Sequence, residues 1–161
     1  MSTFCTGVTV ITAAGRDGRP HGLTCTSLAS VTVDPPTLMV CLDVRSGTLA
    51  AVRDSGRFAV NLLHEGGRRA AEVFSSAVPD RFDRIPWQRG RSGGLWLMED
   101  AFAVADCRVS EAVAIGDHVA LFGEVVDVEQ RDDTPLLYGM RRFASWARPG
   151  AAADAVRESL S

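Results

Sequence analysis

Two groups of small hydroxyl side chains are the residues of this chain best placed to do chemistry. The first lies in "GLTCTSLASVTVDPP", residues 22–36, where Thr24, Thr26, Ser27 and Ser30 sit among small residues with no charged group between them. The second is "RSGT", residues 45–48, which places Ser46 and Thr48 where a helix would start. A helix N-terminus carries unpaired N–H donors and a partial positive charge, so it suits an anion such as phosphate. Each group also has an ordinary structural reading. Ser is a common N-cap, and Thr and Ser favour edge strands.

The rest of the composition removes whole classes of chemistry. All 17 cations are arginine, because the chain has no lysine. A lysine Schiff base and the phosphate-gripping lysine of a P-loop are therefore both excluded. There is no GxSxG elbow and no GxGxxG. The nearest glycine run, "GRDGRPHG", sits in a turn and opens no helix, so a nicotinamide cofactor would not be held in a Rossmann domain. Cys5, Cys25, Cys41 and Cys107 form no CxxC pair and share no ligand spacing with His21, His64 or His118. They read as small buried thiols, not as a metal site. A net charge of −3 argues against a nucleic-acid partner. No apolar run approaches the roughly 20 residues of a membrane span. The N-terminal "MSTFCTGVTVIT" lacks the basic start and apolar centre of a signal peptide, so a cytoplasmic location is expected.

The elements that must position the hydroxyls can be read along the chain. Its 161 residues, 46% hydrophobic and 23% charged, suit one globular domain. The β-branched "VTVITA", 8–13, predicts a strand, and "AGRDGRPHG" a hairpin turn into the hydroxyl-rich stretch. Val31 and Val33 alternate up to Asp34-Pro35-Pro36 and predict a buried strand; "TLMVCLD", 37–43, predicts a central one. Ser46 as N-cap, Leu49 and Val52 at helical spacing, and Gly56 as terminator predict a helix. "RFAVNLL", 57–63, is a further strand, and "EGGRRAAEVFSS", 65–76, a short helix weakened by its glycines. Residues 77–94 carry Pro79, Pro86, Trp87 and several glycines, and predict an irregular loop long enough to cover a ligand. "AFAVADCRVSEAVAI" and "HVALFGEVVDVEQ" are long strands joined at Gly116-Asp117, and "PLLYG" is a short one. Six or seven strands with two short helices, and no β-α-β alternation, predict a closed or nearly closed antiparallel barrel.

On such a frame the two hydroxyl groups become one object. A strand end lined with small hydroxyls lets a flat polar ring lie close, and a phosphate seat one strand later would hold its tail. A flavin mononucleotide has that shape. In order along the chain stand "FCTGVTVIT", "GLTCTSLASVTVDPPTLMVCLD", "SGT", "SGRFAVNLL", "RF", "GDHVALFGEV" and "PLLYG". With these pieces the sequence resembles the short-chain flavin reductases, the reductase partners of two-component flavin monooxygenases. The resemblance implies a mainly β fold, the antiparallel Greek-key split β-barrel that binds FMN, with two or more short helices. It implies a split-barrel domain over 1–148 and a C-terminal tail over 149–161.

The resemblance further implies flavin contact at Thr24, Cys25, Thr26 and Ser27, with Ser30 and Val31 nearby, and at Leu42 and Asp43 beside the ring and ribityl chain. It implies phosphate contact at Ser46 and Thr48, approach of Arg81 and Phe82 to the flavin, and nicotinamide contact at His118, Tyr138, Gly139 and Arg142. The implied reaction is hydride transfer from NADH or NADPH to FMN or FAD, with no catalytic acid or nucleophile. Backbone N–H groups of Thr26 and Ser27 would face the charge that grows on the ring. The implied partners are a second copy of the chain and a monooxygenase that receives reduced flavin. Two other functions share the fold: an enzyme that keeps FMN and acts on a small organic substrate, and a flavin-binding module without catalysis.

Overall fold

A computed structural model describes residues 3–146, so the tail expected over 149–161 lies outside the described residues. The chain opens with the short strand β1 (Thr6–Gly7), then β2 (Thr9–Ala14), β3 (Pro20–Cys25), β4 (Ala29–Val33) and β5 (Pro36–Asp43). Helix α1 (Gly47–Ser55) leads to β6 (Arg57–Leu63); a 3-10 turn over Glu65–Gly67 leads to α2 (Arg68–Ser75). A one-turn α3 (Arg81–Arg84) precedes the small hairpin of β7 (Gln88–Arg89) and β8 (Leu95–Trp96). The long strands β9 (Ala101–Ile115) and β10 (His118–Gln130) follow, then β11 (Leu136–Gly139) and β12 (Arg142–Ser145).

Seven strands form one antiparallel sheet in the order β3-β2-β6-β9-β10-β5-β4. The chain therefore leaves β5, crosses to β6, and returns through the β9–β10 hairpin to β5's other side, which is the Greek-key route. The sheet curls until β3 touches β5, but no ladder joins those two strands. The barrel is split along that seam. Strands β1, β11 and β12 make a separate three-stranded sheet.

Strand β2 runs between β3 and β6 and is buried on both faces, which explains its run of apolar and β-branched residues. Its alternation sends Ile11 and Ala13 into the barrel interior with Val40, Leu42, Phe58, Val60 and Leu121, while Val10 faces a second core under α2 with Ala70, Phe74 and Trp96. Burying each large aliphatic side chain contributes about 1.5–3 kcal/mol. Helix α1 closes the barrel interior with Leu49 and Val52, three residues apart on one face, both almost fully buried. Its ends are as the sequence predicts. Ser46 accepts from the Thr48 and Leu49 N–H groups at 3.1 and 3.3 Å, and Gly56 ends the helix at φ +70°. The β9–β10 turn places Gly116 at φ +59° in the first central position, the backbone of a type II′ hairpin.

Three expectations are corrected. Strand β4 is not buried: it is the sheet edge, and Val31 and Val33 are 49% and 88% exposed, because only β5 pairs with it. Residues 77–94 are not irregular throughout, since they contain α3 and the β7–β8 hairpin. That hairpin is docked by buried polar groups. Trp96 Nε1 and the Gly94 N–H donate to the Asp106 carboxylate at 2.7 and 3.1 Å, and the Leu97 N–H donates to Asn61 Oδ1 at 2.8 Å. No hydrophobic period could reveal those contacts. Finally, Cys5 is exposed, not a buried thiol; the other three cysteines are wholly or partly covered, and all four are free.

Candidate functional site

One cleft of about 1240 Å³ opens over the seam of the barrel, lined by the end of β3, the end of β5, the start of α1, and the α2–α3 segment. It gathers Thr24, Cys25, Thr26, Ser27, Leu42, Asp43, Ser46, Thr48, Arg81, Phe82 and His118. These residues come from five separate stretches of sequence. Ser30 and Val31 do not line it: they lie on the β4 edge. Tyr138, Gly139 and Arg142 do not line it either, because they belong to the three-stranded sheet, where Tyr138 packs on Phe143 at 5.1 Å between ring centroids.

The hydroxyl row is only partly free. Thr24 Oγ1 donates to the Ala71 carbonyl of α2 at 2.6 Å, tying that helix to β3. Ser27 Oγ accepts from the Cys41 N–H at 2.9 Å, lies 3.2 Å from the Cys41 carbonyl, and meets Cys25 Sγ at 3.0 Å. These bonds staple the two sides of the seam where no strand ladder exists. Thr26 between them is exposed. The small residues thus serve two ends at once: their hydroxyls close the barrel, and their size leaves the cleft floor open to a flat ligand.

The cleft's charges are mostly spoken for. Asp43 accepts the Arg45 guanidinium at 2.8 and 3.1 Å and the Arg45 backbone N–H at 2.8 Å. That side-chain bond, with the backbone one, holds the Asp43 carboxyl well below the usual carboxylate range. His118 Nδ1 lies 2.7 Å from Asp117 Oδ1, and this contact draws Asp117 down as well. Strand pairing sets His118 directly across from Asp43. Arg81 donates to the Gly22 carbonyl at 2.8 Å and to the Ser76 carbonyl. It therefore clamps α3 onto β3, with its charge held at the cleft wall. Phe82 meets Phe74 and Trp87 edge to face, at 5.0 and 5.8 Å.

Sequence reasoning missed several lining residues, among them His21, Arg45, Phe74 and Pro79. Arg45 could have been found, since it adjoins Ser46. His21 could not: it reaches the site only because β3 runs past the start of α1.

The arrangement fits a flavin. An apolar and small-residue floor suits a ring, the capped start of α1 suits a phosphate, and the volume exceeds the roughly 300–1,000 Å³ typical of small-molecule pockets. Comparisons with known proteins give the family. The model of the flavin reductase-like domain family matches residues 1–147. The chain is 59% identical over 151 residues to a flavin reductase (NADPH) of Lentzea aerocolonigenes, covering 93% of this chain and 88% of that protein. It is 35% identical over 139 residues to a flavin-dependent monooxygenase reductase subunit, HsaB, of Rhodococcus jostii, covering 86% and 70%. The NADH:FAD oxidoreductase SgcE6 of Streptomyces globisporus, solved with NAD and FAD fragments, superposes with a TM-score of 0.85 at 30% identity, covering 93% of this chain and 90% of that one.

Proposed function

This chain belongs to the flavin reductase-like family, and from that premise we propose that it is an NAD(P)H:flavin reductase whose cleft takes FMN, or FAD, and passes the reduced flavin to a partner monooxygenase. The observation that carries this reading is the single cleft joining the hydroxyl-lined end of β3 to the capped start of α1. In it the ring would lie along Thr24, Cys25, Thr26 and Ser27, beside Leu42 and Asp43. Its phosphate would sit at the start of α1, beside Ser46, with Thr48 buried behind and its N–H held by Ser46 Oγ. Arg81 holds the α3 segment against β3, so that Phe82 walls the far side. His118, fixed by Asp117, stands at the mouth where a nicotinamide would approach.

The chemistry belongs to the two cofactors: hydride moves from the nicotinamide to the flavin. The protein needs to orient two planes and to face the growing negative charge with N–H donors, for which the backbone at Thr26 and Ser27 is suited. No titratable side chain needs to exchange a proton with the ring. This accounts for a floor rich in small residues, with its one carboxylate, Asp43, neutralised by Arg45.

The functional unit in this reading is a homodimer. On the face of β5, β10 and β9 turned away from the barrel core, cross-strand rows place Met39 beside Phe122, and Cys41 beside Ala120 and Val113. Asp43, His118 and Ile115 form the next row. Val113 and Ile115 are exposed, and β6 pairs with β9 only as far as Arg108. A second copy seated there would cover the apolar rows and border the cleft at Asp43 and His118. Sedimentation velocity would read a dimer.

The test of function mixes purified protein with FMN or FAD and with NADH or NADPH in air, following loss of reduced nicotinamide absorbance. Turnover that requires added flavin is expected. Flavin binding with no turnover on either nicotinamide would overturn the reductase reading.

A further inference from the structure

Four basic side chains line the cleft: His21, Arg45, Arg81 and His118. Three are engaged. Arg45 is bound to Asp43, Arg81 to the carbonyls of Gly22 and Ser76, and His118 to Asp117. Among the described residues the His21 imidazole is the one of the four without a hydrogen-bond or ion-pair partner. Its place is specific. His21 Nδ1 comes to 3.3 Å of where a Cβ on Gly47 would stand, so the ring rests against the first residue of α1. A glycine is a poor opening residue for a helix, but here any side chain would press on the imidazole. The first turn of α1 is otherwise closed: Thr48 and Leu49 give their N–H groups to Ser46 Oγ, and Ala50 gives its own to the Ser46 carbonyl. The Gly47 N–H remains without a partner among the described residues, on the residue whose Cβ position the histidine faces.

We propose that His21 is the side chain that recognises the flavin's phosphate, and so makes this protein prefer phosphorylated flavins, FMN and FAD, over riboflavin. The proposal rests on the reading of the cleft as the flavin site. An imidazole N–H at the start of α1 adds a side-chain donor to the Gly47 N–H and the Ser46 hydroxyl, completing a three-donor seat for a phosphate oxygen. Riboflavin, with the same ring and ribityl chain but no phosphate, gains nothing from it. His21 touches the ligand away from the reacting atoms, so it sets specificity and takes no part in hydride transfer.

The test is a titration of wild type, His21→Ala and His21→Gln with FMN and with riboflavin, read by quenching of flavin fluorescence. Wild type is expected to bind FMN the more tightly. His21→Ala is expected to lose roughly tenfold or more of that preference, the scale of a hydrogen bond to a charged group, while its riboflavin affinity stays unchanged and reports an intact cleft. His21→Gln, which keeps an N–H donor, is expected to fall between them. An FMN-to-riboflavin ratio equal in wild type and His21→Ala overturns the assignment of His21 alone. A wild-type protein that binds neither flavin overturns the reading of the cleft as well.

Discussion

The Ser27 hydroxyl separates two accounts of the cleft, because it either touches the ligand or closes the barrel. Its oxygen lies between the Cys41 N–H at 2.9 Å, the Cys41 carbonyl at 3.2 Å and the Cys25 thiol at 3.0 Å, across a seam with no ladder of its own. Ser27→Ala leaves the Cys41 N–H and carbonyl without that partner. An unsatisfied buried group costs about 1–3 kcal/mol. Ser27 is only half-buried, so cleft water replaces part of the loss, and the expected destabilisation is about 1–2 kcal/mol. For a domain of this size, that corresponds to a fall in Tm of roughly 2–8 °C. Flavin affinity should change by less than about threefold, well under 1 kcal/mol, since the hydroxyl's bonds are internal. Thermal unfolding by circular dichroism and flavin titration on the same variant decide it. An unchanged Tm with a large drop in flavin affinity would refute the staple and restore the hydroxyl as a ligand contact.

Two further perturbations probe the frame around the site. Asp106→Asn keeps the side chain's shape but removes one of the two acceptors used by Trp96 Nε1 and the Gly94 N–H; a loss of about 2–3 kcal/mol and a changed Trp fluorescence are expected, and native stability would contradict the docking role. Burial, with Asp106 adding to it, pushes the Cys107 thiol from 9.0 up to about 12. The neutral thiol's contribution to stability is complete below its unfolded value and is lost as pH rises towards the folded one. At pH 8, iodoacetamide followed by peptide mapping should therefore mark exposed Cys5 first and spare Cys107 until denaturant is added; equal rates would contradict its burial.

The sequence by itself determined the elements whose signals are local. The cap at Ser46, the stop at Gly56 and the turn at Gly116-Asp117 are written within a few residues of the backbone groups they satisfy, and the run of β2 follows from two-sided burial. It also brought the right stretches to the cleft, since Thr24, Ser27, Ser46, Arg81 and His118 all line it. Only the tertiary structure decided what those side chains do there. Thr24 spends its hydroxyl on Ala71, Ser27 spends its own on Cys41, and Arg81 spends its guanidinium on Gly22 and Ser76. Those partners are fixed by which strands curl together, and a residue's type carries no record of that. For the same reason the Val31–Val33 alternation marks a strand but not its neighbours, and the strand proved to be an exposed edge. Tyr138, Gly139 and Arg142 proved to lie on another sheet, and His21 was brought beside Gly47 by the packing of β3 against α1. Periodicity and caps act over a few residues, whereas the site is built from contacts that the folded topology alone brings together.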